Sequence, residues 1–201
     1  MNLEPRRRPQ DIGRIGCSSR HFPVSQLATA PCRLRRASRS RQANNLQAMS
    51  DLRQILFHRQ WEQLQSRIAG LEESFLTTRH RPEKWSIHEN LAHLGRYQEI
   101  FLQRATEILT GASPGFGRYR AEDDPLFETW RALSVEEVLS AIELRRERML
   151  QLLSPITAEQ WKRKGQHPKL GWMDLSEWLD FFLLHESHHL YTIFWLVMEF
   201  R

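Results

Sequence analysis

The chain has 201 residues and a formal net charge of +5, but this positive charge belongs to its N-terminal quarter. Residues 1–48 contain ten arginines, no lysine and two acids, which gives +8, whereas residues 49–201 contain 19 basic and 22 acidic residues, which gives −3. A nucleic-acid-binding domain would carry its basic residues on the folded surface, so we expect no nucleic-acid binding by the acidic part.

Residues 1–48 and 49–201 are interpreted as two different kinds of segment. The first is rich in Arg and Ser and has little to bury, so it is predicted to be a disordered tail. Its composition resembles an organelle transit peptide, but the favoured interpretation is a spurious extension upstream of a start at Met49, followed by a solvated arm and then by targeting. Residues 49–201 suit one domain and contain no cysteine. This excludes a disulfide framework and a cysteine-ligated metal site there, and favours a reducing, cytoplasmic compartment.

The first two of four predicted helices follow from apolar spacing and from helix caps. Helix one is expected over about Ser50–Leu76, where apolar residues recur at a 4-3-4-3-4 spacing. Helix two begins after Ser86, which forms a capping box with Glu89 three residues later. It is expected to end at Thr110, with Gly111 as a left-handed stop.

The other two helices follow a long connection over residues 111–133, whose aromatic residues predict that it packs on the domain. Helix three is expected over about Ser134–Leu153, and helix four begins after Asp174. The segment Trp178–Phe200 is apolar, but its charged and histidine residues favour a buried helix over a membrane span. No strand alternation is visible, so the prediction is an all-α four-helix bundle with no membrane partner.

Two histidines, His185 and His189, lie on the predicted apolar stripe of helix four. A pair at i and i+4 lies one turn apart on one helix face, so the two rings can bind one metal ion. A third ligand is needed, and His93 beside the apolar stripe of helix two is the candidate. His88 in the first turn of that helix is predicted to be exposed, and His188 to lie on the flank of helix four.

The same residues spell His185-Glu186-Ser187-His188-His189, which matches the H-E-x-x-H motif of zinc metalloproteases. A protease of this kind takes its third ligand downstream, but only 12 residues follow His189. No sheet is predicted that could align a peptide, so the protease interpretation is disfavoured. Glu186 remains a weak candidate for a general base, because helical spacing turns it about 100° away from His185.

Two motifs resemble the DinB superfamily, which includes DinB-like and bacillithiol-transferase-like proteins. Residues 83–94, EKWSIHENLAHL, resemble the second-helix signature of that family, and HPKLG at 167–171 with LSEW and HESHHL in helix four resembles its closing helix. The resemblance covers about residues 50–200. It implies an up-down-down-up bundle with a three-histidine metal site at His93, His185 and His189. The implied ion is divalent, zinc or nickel, with an open coordination position.

The resemblance also implies a function. Its better-understood members use a low-molecular-weight thiol, so the expectation is a metal-dependent thiol S-transferase that acts on a small-molecule substrate. One alternative is a metal-dependent hydrolase that uses water. Another is a bundle with a vestigial site and no enzymatic activity. Family members commonly dimerise, so a homodimer is a further open alternative.

Overall fold

The structure is a computed structural model and describes Arg53 and residues 57–201. The predictions for residues 1–48 therefore lie outside the described residues. The described part consists of helices and one short antiparallel hairpin. In chain order the elements are α1 (57–68), α2 (Glu73–Thr77), α3 (Ile87–Thr110), a 3₁₀ turn (Ala121–Asp123), α4 (Pro125–Arg131), α5 (Val135–Leu153), α6 (Ala158–Trp161), β1 (Lys164–His167), β2 (Gly171–Asp174) and α7 (Leu175–Phe200).

Helices α1 and α7 run parallel to each other. Arg53 donates two hydrogen bonds of 2.7 Å to the carboxylate of Asp180. Gln60, which follows Arg53 by seven residues, donates a hydrogen bond to Ser187, which follows Asp180 by seven residues. Equal steps in the same direction along both helices require a parallel pair. A seven-residue step is two turns, so these contacts follow one face of each helix.

Helices α3 and α5 form the second parallel pair. Near the start of α3, Nε2 of His88 donates to the carbonyl of Leu133, which lies just before α5. Three turns further along, Glu99 accepts a hydrogen bond of 2.9 Å from Arg145 of α5. The residue numbers on both sides rise together, as they do between α1 and α7.

The two parallel pairs are antiparallel to each other. Asn90 near the start of α3 contacts His189 late in α7, whereas Phe101 later in α3 stacks on Phe182 earlier in α7, with ring centroids 4.5 Å apart. The four long helices thus run up, down, down and up, as the resemblance to the DinB superfamily implies.

The core follows the predicted apolar stripes, the predicted capping box of α3 is present, and capping boxes also begin α5 and α7 at their predicted starts. The caps set the first residue of each helix and so keep its apolar stripe in register along the helix. The stripes of the helices then face one another in the core. The apolar stripe of α3 is buried and consists of Ile87, Leu91, Leu94, Phe101, Ala105 and Ile108. No helix among the described residues is both long and apolar enough to cross a membrane.

The first helix is shorter than predicted. It ends at residue 68, and α2 follows as a separate helix. Gly70 adopts a φ of 73°, a left-handed conformation that ends a helix and that glycine adopts without steric cost. Gly111 after α3 was predicted to be left-handed but has a φ of −93°, so it ends the helix in extended backbone.

A β-hairpin lies between α6 and α7, in a part of the chain where no strand was predicted. Strands β1 and β2 pair antiparallel, and Gly171 turns the chain with a φ of 79°. A Cβ atom at Gly165 would lie 2.8 Å from Phe116 and 2.9 Å from Ile108, so only glycine lets the hairpin contact α3 this closely. Strands of four residues are too short to show a period-two pattern, and the sequence analysis missed them.

The connection over residues 111–133 packs on the bundle, as predicted, and contains α4. Asp124 caps α4 by accepting a hydrogen bond from the backbone of Leu126, and Pro125 occupies its first turn. Phe127 and Trp130 of α4 are buried. This helix therefore covers the half of α3 that carries His93.

Candidate metal centre

Three histidines from two helices converge inside the bundle. His93 of α3 and His185 and His189 of α7 each present one ring nitrogen, and these atoms lie within 4.8 Å of one another. The Nε2 atoms of His93 and His185 are 3.1 Å apart. The convergence arises because α3 and α7 are antiparallel neighbours and the two α7 histidines are one turn apart. The structure thus brings together all three residues predicted as ligands.

Asn90 fixes which nitrogen of His189 faces the cluster. The Asn90 Nδ2 donates 2.8 Å to the carbonyl of Ser86, which leaves its Oδ1 directed at Nδ1 of His189, 2.9 Å away. An amide oxygen only accepts, so Nδ1 of His189 carries the proton and donates. Nε2 of His189 therefore keeps its lone pair for a metal ion, the usual arrangement of a ligating histidine.

The three imidazoles are neutral in this environment. Burial is the largest cause and lowers the pKa of His93, His185 and His189 to about 3 each, with the other histidines of the cluster adding to the effect. A metal ion binds the neutral form of histidine. At neutral pH the cluster is therefore already in the form that ligates.

The donor set fits a divalent transition metal. Imidazole nitrogen suits zinc, nickel, copper and iron, and three protein ligands leave a fourth position for water or substrate in a tetrahedral site. The Nε2 atoms of His93 and His185 converge to 3.1 Å, and one proton shared by this pair would still leave the lone pair on Nε2 of His189 unused. The convergent lone pairs are better explained by a shared ion than by hydrogen bonds within the protein.

Aromatic side chains surround the histidines. The ring centroid of His93 is 5.0 Å from that of Trp85 and 5.8 Å from that of Tyr119. The ring centroids of Tyr97 and His185 are 4.0 Å apart. Phe127 of α4 meets His93 edge-on at 6.0 Å. These rings limit the access of water, and a dry surrounding strengthens electrostatic interactions at the site. Of these residues, the sequence analysis placed none at the site.

Glu186 lies about 100° around α7 from His185 and faces α5 instead of the histidine cluster. It is 3% exposed, and its Oε1 accepts a hydrogen bond from the buried guanidinium of Arg146 on α5. Burial raises the pKa of the Glu186 carboxyl, and Arg146 acts in the opposite direction. The pairing favours a structural role over the general-base role that the sequence offered.

The remaining two histidines near the site have different outcomes. His188 is exposed on α7, as predicted for the helix flank. The prediction that His88 is exposed was wrong, because it is only 8% exposed and bonds to the carbonyl of Leu133 at 2.9 Å. The connection before α5 folds over the start of α3 and covers His88, which a single-helix argument does not anticipate.

Comparisons with known proteins identify one matching family and two solved structures with a similar fold. The family model for the DinB superfamily matches residues 56–193. YfiT from Bacillus subtilis, described as a probable metal-dependent hydrolase with an unusual four-helix bundle topology, has a similar structure, with a TM-score of 0.62 and 22% identity over 75% of this chain and 86% of YfiT. TT2238, a four-helix bundle protein, has a TM-score of 0.53 and 17% identity over 71% of this chain and 95% of its own. No curated protein matches the sequence. The two structural similarities support the fold.

Proposed function

The chain belongs to the DinB superfamily, and from this premise we propose that it is a metal-dependent enzyme with His93, His185 and His189 as ligands. One observation carries the proposal, namely that three neutral imidazoles from two helices, two of them buried and His185 half-buried, converge within 4.8 Å. A purely structural core would bury apolar side chains here, because burying an unpartnered polar group costs about 1–3 kcal/mol.

The proposed reaction is transfer of a low-molecular-weight thiol to a small electrophilic substrate. The thiol releases its proton to solvent, its sulfur forms the new bond to an electrophilic carbon, and the leaving group departs with the bonding electron pair. A divalent ion in the site would lower the pKa of the thiol, whose ordinary value is about 8.5. The protein itself supplies the three imidazoles, the orientation of His189 through Asn90, and an aromatic surrounding that limits competition by water.

The position of Glu186 supports thiol chemistry over water chemistry. Water is a weaker acid than a thiol and benefits more from a neighbouring base. Glu186 is paired with Arg146, and no carboxylate belongs to the histidine cluster among residues 57–201. Deprotonation of a thiol at a metal site requires no such base, so this set of residues suits a thiol substrate better.

Hydrolysis is the second candidate, and one observation favours it. YfiT, the bundle with the TM-score given above, is described as a probable metal-dependent hydrolase. The same three histidines and open position would serve that reaction, with water as the nucleophile. The two reactions differ in one requirement, because only S-transfer consumes a thiol.

The test compares rates on the full chain loaded with zinc or nickel. Aryl halide and epoxide electrophiles are offered with cysteine, glutathione or bacillithiol, and ester and amide substrates are offered without thiol. We expect thiol consumption that a chelator abolishes. His189→Ala should reduce the rate about a hundredfold or more, whereas His188→Ala, its exposed neighbour, should leave it unchanged.

The outcomes separate the candidates. Metal-dependent ester or amide cleavage without thiol would replace S-transfer with hydrolysis. Loss of metal in His189→Ala together with no turnover of any substrate class would favour a bundle with a vestigial site. Equal rates in His188→Ala and His189→Ala would contradict the proposed site itself.

A further inference from the structure

Arg104 of α3 differs from the other arginines that the bundle shields from water. Six arginines of the described part of the chain are buried or half-buried, and five of them form ion pairs with carboxylates, namely Arg53, Arg96, Arg131, Arg145 and Arg146. Arg104 is the sixth and forms no ion pair with any described residue. Burial lowers the pKa of its guanidinium, because a shielded cation without a counter-charge is costly. An anion bound at this position would remove that cost.

The guanidinium of Arg104 is positioned by two aromatic rings and one carbonyl. Its central carbon lies 5.3 Å from the ring centre of Phe116 and 5.5 Å from that of Trp178. One of its nitrogens donates a hydrogen bond of 3.0 Å to the carbonyl of Gly117. A guanidinium has five N–H donors, so most of them have no partner among the residues that the structure describes. The group is therefore oriented and can still donate two parallel hydrogen bonds to a carboxylate.

His167 of the hairpin adds a second donor beside Trp178. The ring centroids of His167 and Trp178 are 5.4 Å apart. The Nδ1 atom of His167 accepts hydrogen bonds from two backbone N–H groups of the hairpin turn, so its proton is on Nε2. Burial lowers the pKa of His167, and the positive charges of Arg104 and Lys169 add to this effect. Residues 162–170 include four basic and no acidic side chains, so the positive charge here is not compensated within the segment.

Arg104 lies on the same face of α3 as the histidine cluster. It follows His93 by 11 residues, which is three turns and only about 20° around the helix. Its guanidinium lies over Trp178, which precedes His185 by seven residues on the antiparallel helix α7. Seven residues are two turns and about 10 Å along the helix axis. A molecule that reached the histidine cluster with one end would therefore meet Arg104 with a group about 10 Å away.

The donors at Arg104 suit a carboxylate better than a phosphate. Phosphate is usually bound by clusters of backbone N–H groups or at a helix N-terminus, and Arg104 lies inside α3. A single planar guanidinium matches the two oxygens of one carboxylate. The rings of Phe116 and Trp178 beside it provide an apolar surface for the carbon atoms next to the carboxylate.

We infer that Arg104 binds a carboxylate of the small molecule that reacts at the metal centre. The inference rests on the proposed function and adds the class of substrate, which carries a carboxylate about 10 Å from its reacting atom. Free cysteine is too short, because its carboxylate is only a few bonds from its sulfur. In extended glutathione the γ-glutamyl carboxylate lies about 10 Å from the sulfur, so a thiol of that length reaches both positions.

The first test measures binding to the metal-free full chain by isothermal titration calorimetry, so it does not depend on catalysis. The probe is S-methylglutathione, which keeps both carboxylates and has no free thiol. Arg104→Leu should weaken its binding about 10- to 100-fold, as expected for loss of a hydrogen-bonded charge pair. Arg118→Leu, at an exposed position of the adjacent loop, is the matched control and should bind like the wild type. The diethyl ester of the probe should bind the wild type as weakly as the probe binds Arg104→Leu.

A second variant separates the charge of Arg104 from its packing. Arg104→Lys keeps the positive charge, so it should lose less affinity for S-methylglutathione than Arg104→Leu. Helical circular dichroism should be unchanged in both variants. Equal binding by the wild type and Arg104→Leu, or equal losses in the two variants, would overturn the inference. Displacement of the probe by inorganic phosphate but not by glutarate would overturn the assignment to a carboxylate.

The second test uses the metal-loaded full chain and separates this inference from the proposed function. With glutathione as the thiol, Arg104→Leu should raise KM about 10- to 100-fold and leave kcat near its wild-type value, because the carboxylate contact is the same in the ground state and the transition state. With cysteine the two proteins should differ little. S-transfer from glutathione with an unchanged KM in Arg104→Leu would contradict the carboxylate site alone. Absence of S-transfer together with Arg104-dependent binding of the probe would contradict the proposed reaction alone.

Discussion

The side-chain oxygen of Asn90 accepts a hydrogen bond of 2.9 Å from Nδ1 of His189. This contact assigns the proton of His189 to the nitrogen that faces away from the cluster. The same asparagine donates to the carbonyl of Ser86, so its amide cannot rotate without loss of a second hydrogen bond. The helix cap of α3 and the histidine cluster are therefore connected through one side chain.

Replacement of Asn90 by leucine should weaken metal binding about 10- to 100-fold, because His189 loses the partner that orients its ring. The metal dissociation constant is measured by competition with a chromophoric chelator. Asn90→Asp keeps an acceptor oxygen at the same position, so its metal affinity should stay close to that of the wild type. Equal losses in Asn90→Leu and Asn90→Asp would show that Asn90 acts only through the helix cap.

The buried pair formed by Arg146 and Glu186 should be essential for stability and dispensable for metal binding. Glu186→Gln leaves the guanidinium of Arg146 without its counter-charge in the core, which should lower the free energy of unfolding by about 3–5 kcal/mol. The double variant Arg146→Met/Glu186→Leu removes both charges and should recover most of this loss. Urea denaturation measures the stability and elemental analysis measures the metal. If Glu186→Gln kept full stability but lost activity, the general-base role would be restored.

Gly95 is required by the position of Trp130. A Cβ atom at Gly95 would lie 2.1 Å from the Trp130 ring, which is held by a hydrogen bond to Glu99 and by Arg145 stacked 4.5 Å from its centre. Helix propensity alone would make Gly95→Ala stabilising by up to about 1 kcal/mol. We predict the opposite sign, a loss of about 1–3 kcal/mol in the free energy of unfolding.

A matched background separates these two effects. In a Trp130→Leu variant the ring is absent, and Gly95→Ala should then be neutral or stabilising. Thermal or urea unfolding of the four proteins forms a double-mutant cycle. An additive cycle would contradict the contact between Gly95 and Trp130.

The metal-free protein should lose stability as the pH falls below neutrality. The pKa of each cluster histidine is lowered from 6.5 to about 3 in the folded protein. Between these values the unfolded chain binds protons that the folded chain does not, so the free energy of unfolding decreases with decreasing pH. With three such groups, the free energy of unfolding should change by at most about 4 kcal/mol per pH unit.

Urea denaturation of the chelator-treated protein at several pH values checks this dependence. His189→Gln removes one of the three groups, so its slope should be about one third smaller. A free energy of unfolding that does not change over this pH range would show that the cluster is hydrated and protonated in the folded state.

The three histidines of the cluster were accessible to sequence reasoning because their positions depend on local spacing. His185 and His189 lie on one apolar stripe of a strongly periodic helix, and His93 lies beside another. The stripes determine which sides of α3 and α7 face each other. Because the histidines lie on or beside these stripes, they are brought together when the two helices pack. Asn90 carried a usable signal that was missed, since it lies three residues before His93 and therefore near the same helix face.

The features that sequence reasoning missed depend on contacts between distant segments. The pairing of Glu186 with Arg146 joins two residues that are 40 positions apart and lie on different helices, and no pattern within either helix reveals it. His88 is covered by the segment before α5, which folds back over the start of α3. The β-hairpin depends on Gly165 fitting against α3, and the end of α1 depends on one left-handed glycine.

X-ray absorption spectroscopy of the purified, metal-loaded full chain tests the central claim most directly. We predict one ion per chain with three imidazole nitrogens at about 2.0–2.1 Å for zinc and a further light ligand at the open position. The triple replacement of His93, His185 and His189 by alanine should eliminate stoichiometric binding, while His188→Ala should leave the spectrum unchanged. A first shell without histidine, or an ion retained by the triple variant, would contradict the proposed metal centre.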